Sequence, residues 1–135
     1  MKFRSVDGKW YGIDIGTYER GNTLSKSHAQ DRLGDILEEL FENFKLYEEF
    51  PCVPTNLRLD FFIPVLNLAF EFDGEQHDRY VAYFHKDRYG FARSKANDTM
   101  KECWCQANAI TLIRIKEKDL NKETLEKIIY EQTGE

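Results

Sequence analysis

Residues 60–77 read DFFIPVLNLAFEFDGEQH. Two apolar runs rich in strand-forming residues are parted by Pro64 and Asn67, which mark a turn. Read back to Asn56, the first run is NLRLDFFIP, and a two-residue period places Leu57, Leu59, Phe61 and Ile63 on one face. Asp60 is then expected on the face opposite Leu59 and Phe61. The second run, LAFEF, ends at Asp73 and Gly74. The pattern predicts a hairpin that sets Asp60 and Glu71 on neighbouring strands. Carboxylates inside strands are costly to bury without a counter-charge. A hard divalent cation is one such charge, since Mg²⁺ is commonly held by one or two carboxylates with waters and phosphates. The plainer reading is that the acids sit at solvated strand ends or pair with lysine.

Outward from this hairpin the chain reads as alternating elements. Leu33, Ile36, Leu37, Leu40, Phe41 and Phe44 form the apolar stripe of an amphipathic helix. Ser27 is placed to cap it, and it is expected to end near Lys45. KLYEEFP, residues 45–51, predicts a strand closed by Pro51. A long helix is expected from about Lys86 to Ala107, with Ala96, Met100, Cys103, Trp104 and Ala107 inward and Asp98, Lys101 and Cys105 on another face. AITLIRI, residues 109–115, is almost continuously apolar and predicts a central strand. Arg114 inside it needs a partner, either a core acid or a phosphate. NKETLEKIIYEQ predicts a closing helix capped by Asn121, with Leu125, Ile128 and Ile129 inward. KWYGIDIG, residues 9–16, alternates roughly and suggests a short strand or hairpin arm.

The length of 135 residues suits one domain, and 41% apolar content favours folding over disorder. No run approaches about 18 apolar residues, and the first residues lack an apolar signal core, so no membrane partner and a cytoplasmic location are expected. The three cysteines are an odd number, and Cys103-Trp104-Cys105 is too tight for a zinc knuckle, so buried free thiols are expected, with a redox or metal role as the alternative. The net charge of −5 hides an asymmetry. Residues 30–49 hold seven acids and two bases, whereas residues 79–101 hold six bases and two acids. A basic strip following an acidic site suits phosphate.

The helix–strand–strand–strand–helix–strand order, with an Asp on one strand and a Glu late in the next, resembles the PD-(D/E)XK nucleases. The nearer resemblance is to the branch of very-short-patch mismatch-repair and phage homing endonucleases, carried by EFDGEQH, DTMK and LIRI over roughly residues 27–116. It implies an α/β fold with a restriction-endonuclease-like αβββαβ core and a mixed central sheet flanked by helices. Residues 1–25 would be an arm or hairpin and residues 26–135 a single nuclease-like domain. Asp60 and Glu71 match the metal-binding acids. Asp73 stands where the family has Lys, and a carboxylate cannot supply that positive charge. Asp73 is left as a third ligand or as a residue fixing the turn before Gly74. Gln76, His77 and Lys101 are the candidates to replace the Lys, His77 because imidazole titrates near neutrality. A Glu that the family carries on its first helix would fall at Gln30, with Asp31 or Glu39 as substitutes.

RYVAYFHKDRYGFARSK, residues 79–95, interleaves rings with cations. Arg79, Lys86, Arg88, Arg93 and Lys95 are candidates for nucleic-acid contacts, with rings stacking on bases; the alternative is that the rings only pack this connection onto the core. The expectation is a Mg²⁺-dependent endodeoxyribonuclease, with Mn²⁺ able to substitute, encoded by a phage or mobile element. DNA is the expected partner, and a homodimer would supply two sites for two strands. A binding module that kept the fold and lost hydrolysis is the main alternative, and a protein-interaction domain the next.

Overall fold

The computed structural model describes residues 1–22, 25–74 and 88–134. Its main sheet has four strands in the order β3 (Tyr47–Pro51), β4 (Arg58–Ile63), β5 (Leu68–Asp73) and β6 (Thr111–Lys116). β4 is antiparallel to both β3 and β5, and β6 is parallel to β5. The β4–β5 hairpin is closed by a short 3-10 turn at Pro64–Leu66 and by Asn67, whose φ of 53° is left-handed. A short side chain able to bond its own backbone tolerates that conformation. A second, two-stranded sheet joins β1 (Lys2–Arg4) to β2 (Trp10–Gly12).

Helix α1 (His28–Leu40) begins where the Ser27 side chain accepts from the N–H of Gln30. It stops at Leu40, short of the expected Lys45, because Phe41 leaves helical geometry as its C-cap. The apolar period runs on to Phe44 only by coincidence, and that ring is half exposed. Helix α2 spans Arg88–Ala107, and helix α3 spans Lys122–Thr133. Asn121 caps α3 by accepting from Thr124 N–H at 2.8 Å. The mixed sheet is thus flanked by helices, an α/β arrangement with the expected αβββαβ order.

Two apolar clusters fill the two sides. Leu33 and Leu37 of α1 and Leu125 and Ile129 of α3 meet Phe61, Ile63, Phe70, Ile113 and Ile115. On the other side Trp104 and Cys105 of α2 meet Phe50, Leu59, Phe62 and Ala69, joined by Phe3 of β1. Burial at this scale contributes roughly 1.5–3 kcal/mol per large apolar side chain.

Three sequence expectations are corrected. β6 is the edge of the four-stranded sheet, not its centre. It reads as continuously apolar because both its faces are covered: Ile113 and Ile115 enter one cluster, and Leu112 packs on the other. Leu59 and Phe61 do not share a face, since Leu59 belongs to the second cluster and Phe61 and Ile63 to the first. The alternation slips at Asp60, opposite Glu49, whose φ is 54°. In α2, Ala96, Met100, Cys103 and Ala107 are exposed, and Ser94, Asp98, Lys101, Trp104 and Cys105 are half-buried or buried. The middle of α2 meets polar groups through Asp98 and Lys101, and its apolar inner face lies toward its end, at Trp104 and Cys105.

Candidate metal centre

β4 and β5 pair through Phe61–Phe70, Phe62–Ala69 and Ile63–Leu68. One step further in that register stand Asp60 and Glu71, and here side chains replace the backbone ladder. Glu71 Oε2 accepts from the N–H of Asp60 at 2.7 Å, and Asp60 Oδ2 accepts from the N–H of Phe72 at 2.8 Å. Each acid therefore caps a backbone donor of the opposite strand, and each is more than nine-tenths buried. These charge-assisted bonds fix both side chains. They leave one oxygen on each: Lys26 Nζ lies 3.3 Å from Asp60 Oδ1, and Lys101 Nζ lies 2.5 Å from Glu71 Oε1.

Burial pushes the carboxyl of Glu71 up to about 7, and the Asp60 charge adds to the rise while Lys101 opposes it. The nearby acids hold Lys26 above the usual lysine value, against the burial that lowers it.

A shell from β3 and α1 supports the pair. Glu49 faces Asp60 across β3 and β4, and its left-handed backbone is rare for a side chain of this size. Its Oε2 lies 3.5 Å from Lys26 Nζ. Gln30, 2% exposed, donates from Nε2 to Glu48 Oε2 at 2.9 Å and to Glu49 Oε2 at 3.1 Å. Glu48 also accepts from the Ser25 hydroxyl and pairs with Arg20 at 3.3 Å. Arg20 reaches Asp31, Asp35 and Glu38 as well, at 2.7–3.1 Å, and these acids hold its guanidinium charged.

The structure thus brings Asp60, Glu71 and Lys101 together and leaves Asp73 aside. Asp73 meets Arg114 Nη1 at 3.3 Å, and Arg114 also pairs with Asp98 and Glu102. Pairing with acids is therefore what Arg114 does in its strand. Among the described residues no three His, Cys, Asp or Glu side chains form a set able to hold a metal, so Asp73 does not complete a trio with Asp60 and Glu71. Of the first-helix candidates, Gln30 is in the shell, whereas Asp31 pairs with Arg20 and Glu39 with Lys122 at 3.0 Å. Gln76, His77, Arg79 and Lys86 lie outside the described residues. Arg88 opens α2, Arg93 is exposed on it, and Lys95 is half-buried.

Sequence reasoning missed Lys26, Glu48, Glu49 and Arg20. A signal was present for the two glutamates: consecutive acids inside a strand bounded by Tyr47 and Phe50 demand buried donors. The oxygens that could hold a divalent cation are Asp60 Oδ1 and Glu71 Oε1, which Lys26 and Lys101 now occupy. Hard oxygen ligands in that number leave coordination positions for water and phosphate.

Among the described residues no helix is long and apolar enough to cross a membrane. No protein-family model and no solved structure matches this chain. Similarity is found to two proteins of invertebrate viruses. Uncharacterized protein 307L of Invertebrate iridescent virus 6 is 35% identical over 60 residues, 44% of this chain and 30% of that protein. Uncharacterized protein 033L of Invertebrate iridescent virus 3 is 29% identical over 65 residues, 48% of this chain and 34% of that protein. The chain spans about a third of the length of these curated relatives.

Proposed function

We propose that this chain is a metal-dependent DNA endonuclease of the PD-(D/E)XK type, using Mg²⁺ and accepting Mn²⁺, that hydrolyses phosphodiester bonds. The observation that carries the reading is the in-register pair of Asp60 and Glu71. Both are buried where the strand ladder gives way, and each keeps one oxygen outside the backbone bonds, now paired with a lysine, that a metal cation could take.

Asp60 and Glu71 would hold the ion, and their backbone bonds keep them from swinging apart. When bound, a divalent cation lowers the pKa of a coordinated water and neutralises charge on a phosphoryl oxygen. Lys101 orients Glu71 and supplies the positive charge that Asp73 cannot. Its place on α2 keeps that ammonium beside the carboxylate without help from the strand. Gln76 and His77 follow directly in sequence, and His77 is the candidate to carry a proton to or from the reacting oxygens. Arg79, Lys86, Arg88, Arg93 and Lys95 are assigned to the phosphate backbone of DNA. One site cuts one strand, so a homodimer is the form expected to cut both.

A second reading is a nucleic-acid-binding module without hydrolysis. It is favoured by the two lysines that already neutralise the acids, and by the lack of a third carboxylate ligand among the described residues.

Incubation with supercoiled plasmid and Mg²⁺ or Mn²⁺ separates the two. Nicking that disappears in both Asp60→Ala and Glu71→Ala supports the nuclease. Salt-sensitive binding with no cleavage under either metal supports the module. Absence of both cleavage and binding removes the DNA reading altogether.

A further inference from the structure

Lys26 immediately precedes the cap of α1, and its ammonium is shared between Asp60 Oδ1 at 3.3 Å and Glu49 Oε2 at 3.5 Å. Asp60 Oδ2 is committed to the N–H of Phe72, so Oδ1 is the oxygen that an incoming cation would take. Lys26 covers that same oxygen. Glu49 is brought there by a left-handed backbone and steadied by Gln30, so the position has two carboxylates for one ammonium.

The two lysines of the site differ in how firmly they are held. The Lys101 side chain is 13% exposed and rides on a twenty-residue helix. The Lys26 side chain is 55% exposed and comes from the segment before α1. Asp60 and Glu49 are buried, so the ammonium cannot leave them uncompensated, but a lysine with a solvent-open stem can withdraw its head into water once another cation neutralises them.

We infer that Lys26 is a built-in stand-in for the divalent cation: its ammonium neutralises Asp60 and Glu49 in the metal-free protein, and metal must displace it from Asp60 Oδ1 to bind. The inference rests on the metal-dependent reading above and deepens it. Two consequences follow from the competition. The acid pair stays assembled without metal, and the affinity for metal is held down by the charge that must leave.

The test is a Mn²⁺ titration of the full chain, followed by calorimetry and by the electron-spin signal of free Mn²⁺. Wild type is compared with Lys26→Met, Lys26→Arg and Lys45→Met. Lys45 pairs with Glu19 at 3.8 Å and is 69% exposed, so Lys45→Met removes an equal charge at another pair. Lys26→Met is expected to bind Mn²⁺ about fivefold more tightly, which is about 1 kcal/mol. Lys26→Arg keeps the charge and is expected to stay within about twofold of wild type, as is Lys45→Met. In chelator Lys26→Met should melt below wild type, and on adding Mn²⁺ its melting temperature should rise by more. If Lys26→Met is too unstable to titrate, Lys26→Gln gives the same readout.

Wild-type binding that depends on Asp60, with no tightening in the Lys26 variants, overturns the inference and leaves the metal reading standing. Wild type that binds no Mn²⁺, or Asp60→Ala that binds as well as wild type, overturns both.

Discussion

Asp60 and Glu71 each bond the backbone of the other's strand, at 2.7 and 2.8 Å, so neither carboxylate can retreat from the other's charge. Burial first, and Asp60 second, push the Glu71 carboxyl from its ordinary 4.5 up to about 7. The folded chain therefore holds this proton more tightly than the unfolded chain between about pH 4.5 and 7. Stability then falls as pH rises through that window, because the native state binds the extra proton there. In chelator, Glu71→Gln removes the titration. Its stability relative to wild type should be roughly 1–3 kcal/mol more favourable at pH 8 than at pH 4.5. Urea denaturation at the two pH values measures this, and a difference independent of pH would contradict the raised carboxyl.

Gly34 on α1 lies under the guanidinium of Arg20. A Cβ there would come within 2.6 Å of Arg20 Cζ and Nε. The arginine is a flexible side chain, but its head is held by Asp31, Asp35, Glu38 and Glu48. Moving it aside breaks those pairs, including the one to buried Glu48. Gly34→Ala should therefore cost about 1–2 kcal/mol, even though Ala is the better helix former by about 1 kcal/mol. Gly12→Ala, with nothing within 4 Å of the added carbon, should change stability by less than about 0.5 kcal/mol. Equal denaturation midpoints for Gly34→Ala and wild type would mean that Arg20 yields freely.

The three cysteines should separate by reactivity. Cys103 is exposed, while Cys52 and Cys105 are buried at 0% and 1% exposure. Burial pushes the Cys105 thiol up to about 12, with the Glu71 charge adding to it, and raises Cys52 in the same way. Thiolate is the reactive form, so both are inert in the native state. A coloured disulfide reagent at pH 8 should label one thiol per native chain and three after denaturation. Native labelling of Cys52 or Cys105 would show that the second cluster opens readily.

The order of elements was legible because each has a local cause. Ser27 and Asn121 are cap residues, Pro64 and Asn67 form a turn, and the stripes of α1 and α3 point to one cluster. The opposition of Asp60 and Glu71 follows from a tight hairpin, whose register a short turn fixes. The rest depends on tertiary neighbours. The change of facing at Asp60 needs the left-handed Glu49 on another strand, and period-two counting along one strand cannot show it. The polar inner face of α2 is set by Glu71 and Arg114, which its own sequence does not contain. Lys26 and Arg20 reach the site from the segment before α1, and no spacing rule links them to residues 48–60.

Gln30 is the position where the resemblance expected a Glu, and its surroundings explain the amide. Its Nε2 is the shared donor for Glu48 and Glu49, both nearly fully buried. A carboxylate there would remove that donor from two acids and add a third negative charge beside them. Gln30→Glu should lower stability by roughly 3–5 kcal/mol at pH 8, the range for an unpaired buried charge. Burial and like charge raise the pKa of the introduced carboxyl, so the loss should shrink toward pH 5, where a protonated oxygen can again donate to one neighbour. Gln30→Met, close in length but without donor or charge, should fall between wild type and Gln30→Glu at pH 8. Melting curves of the three proteins at pH 5 and 8 provide the comparison. A Gln30→Glu variant as stable as wild type at pH 8 would mean that Glu48 and Glu49 do not depend on this amide, and that the site can accept another acid from its first helix.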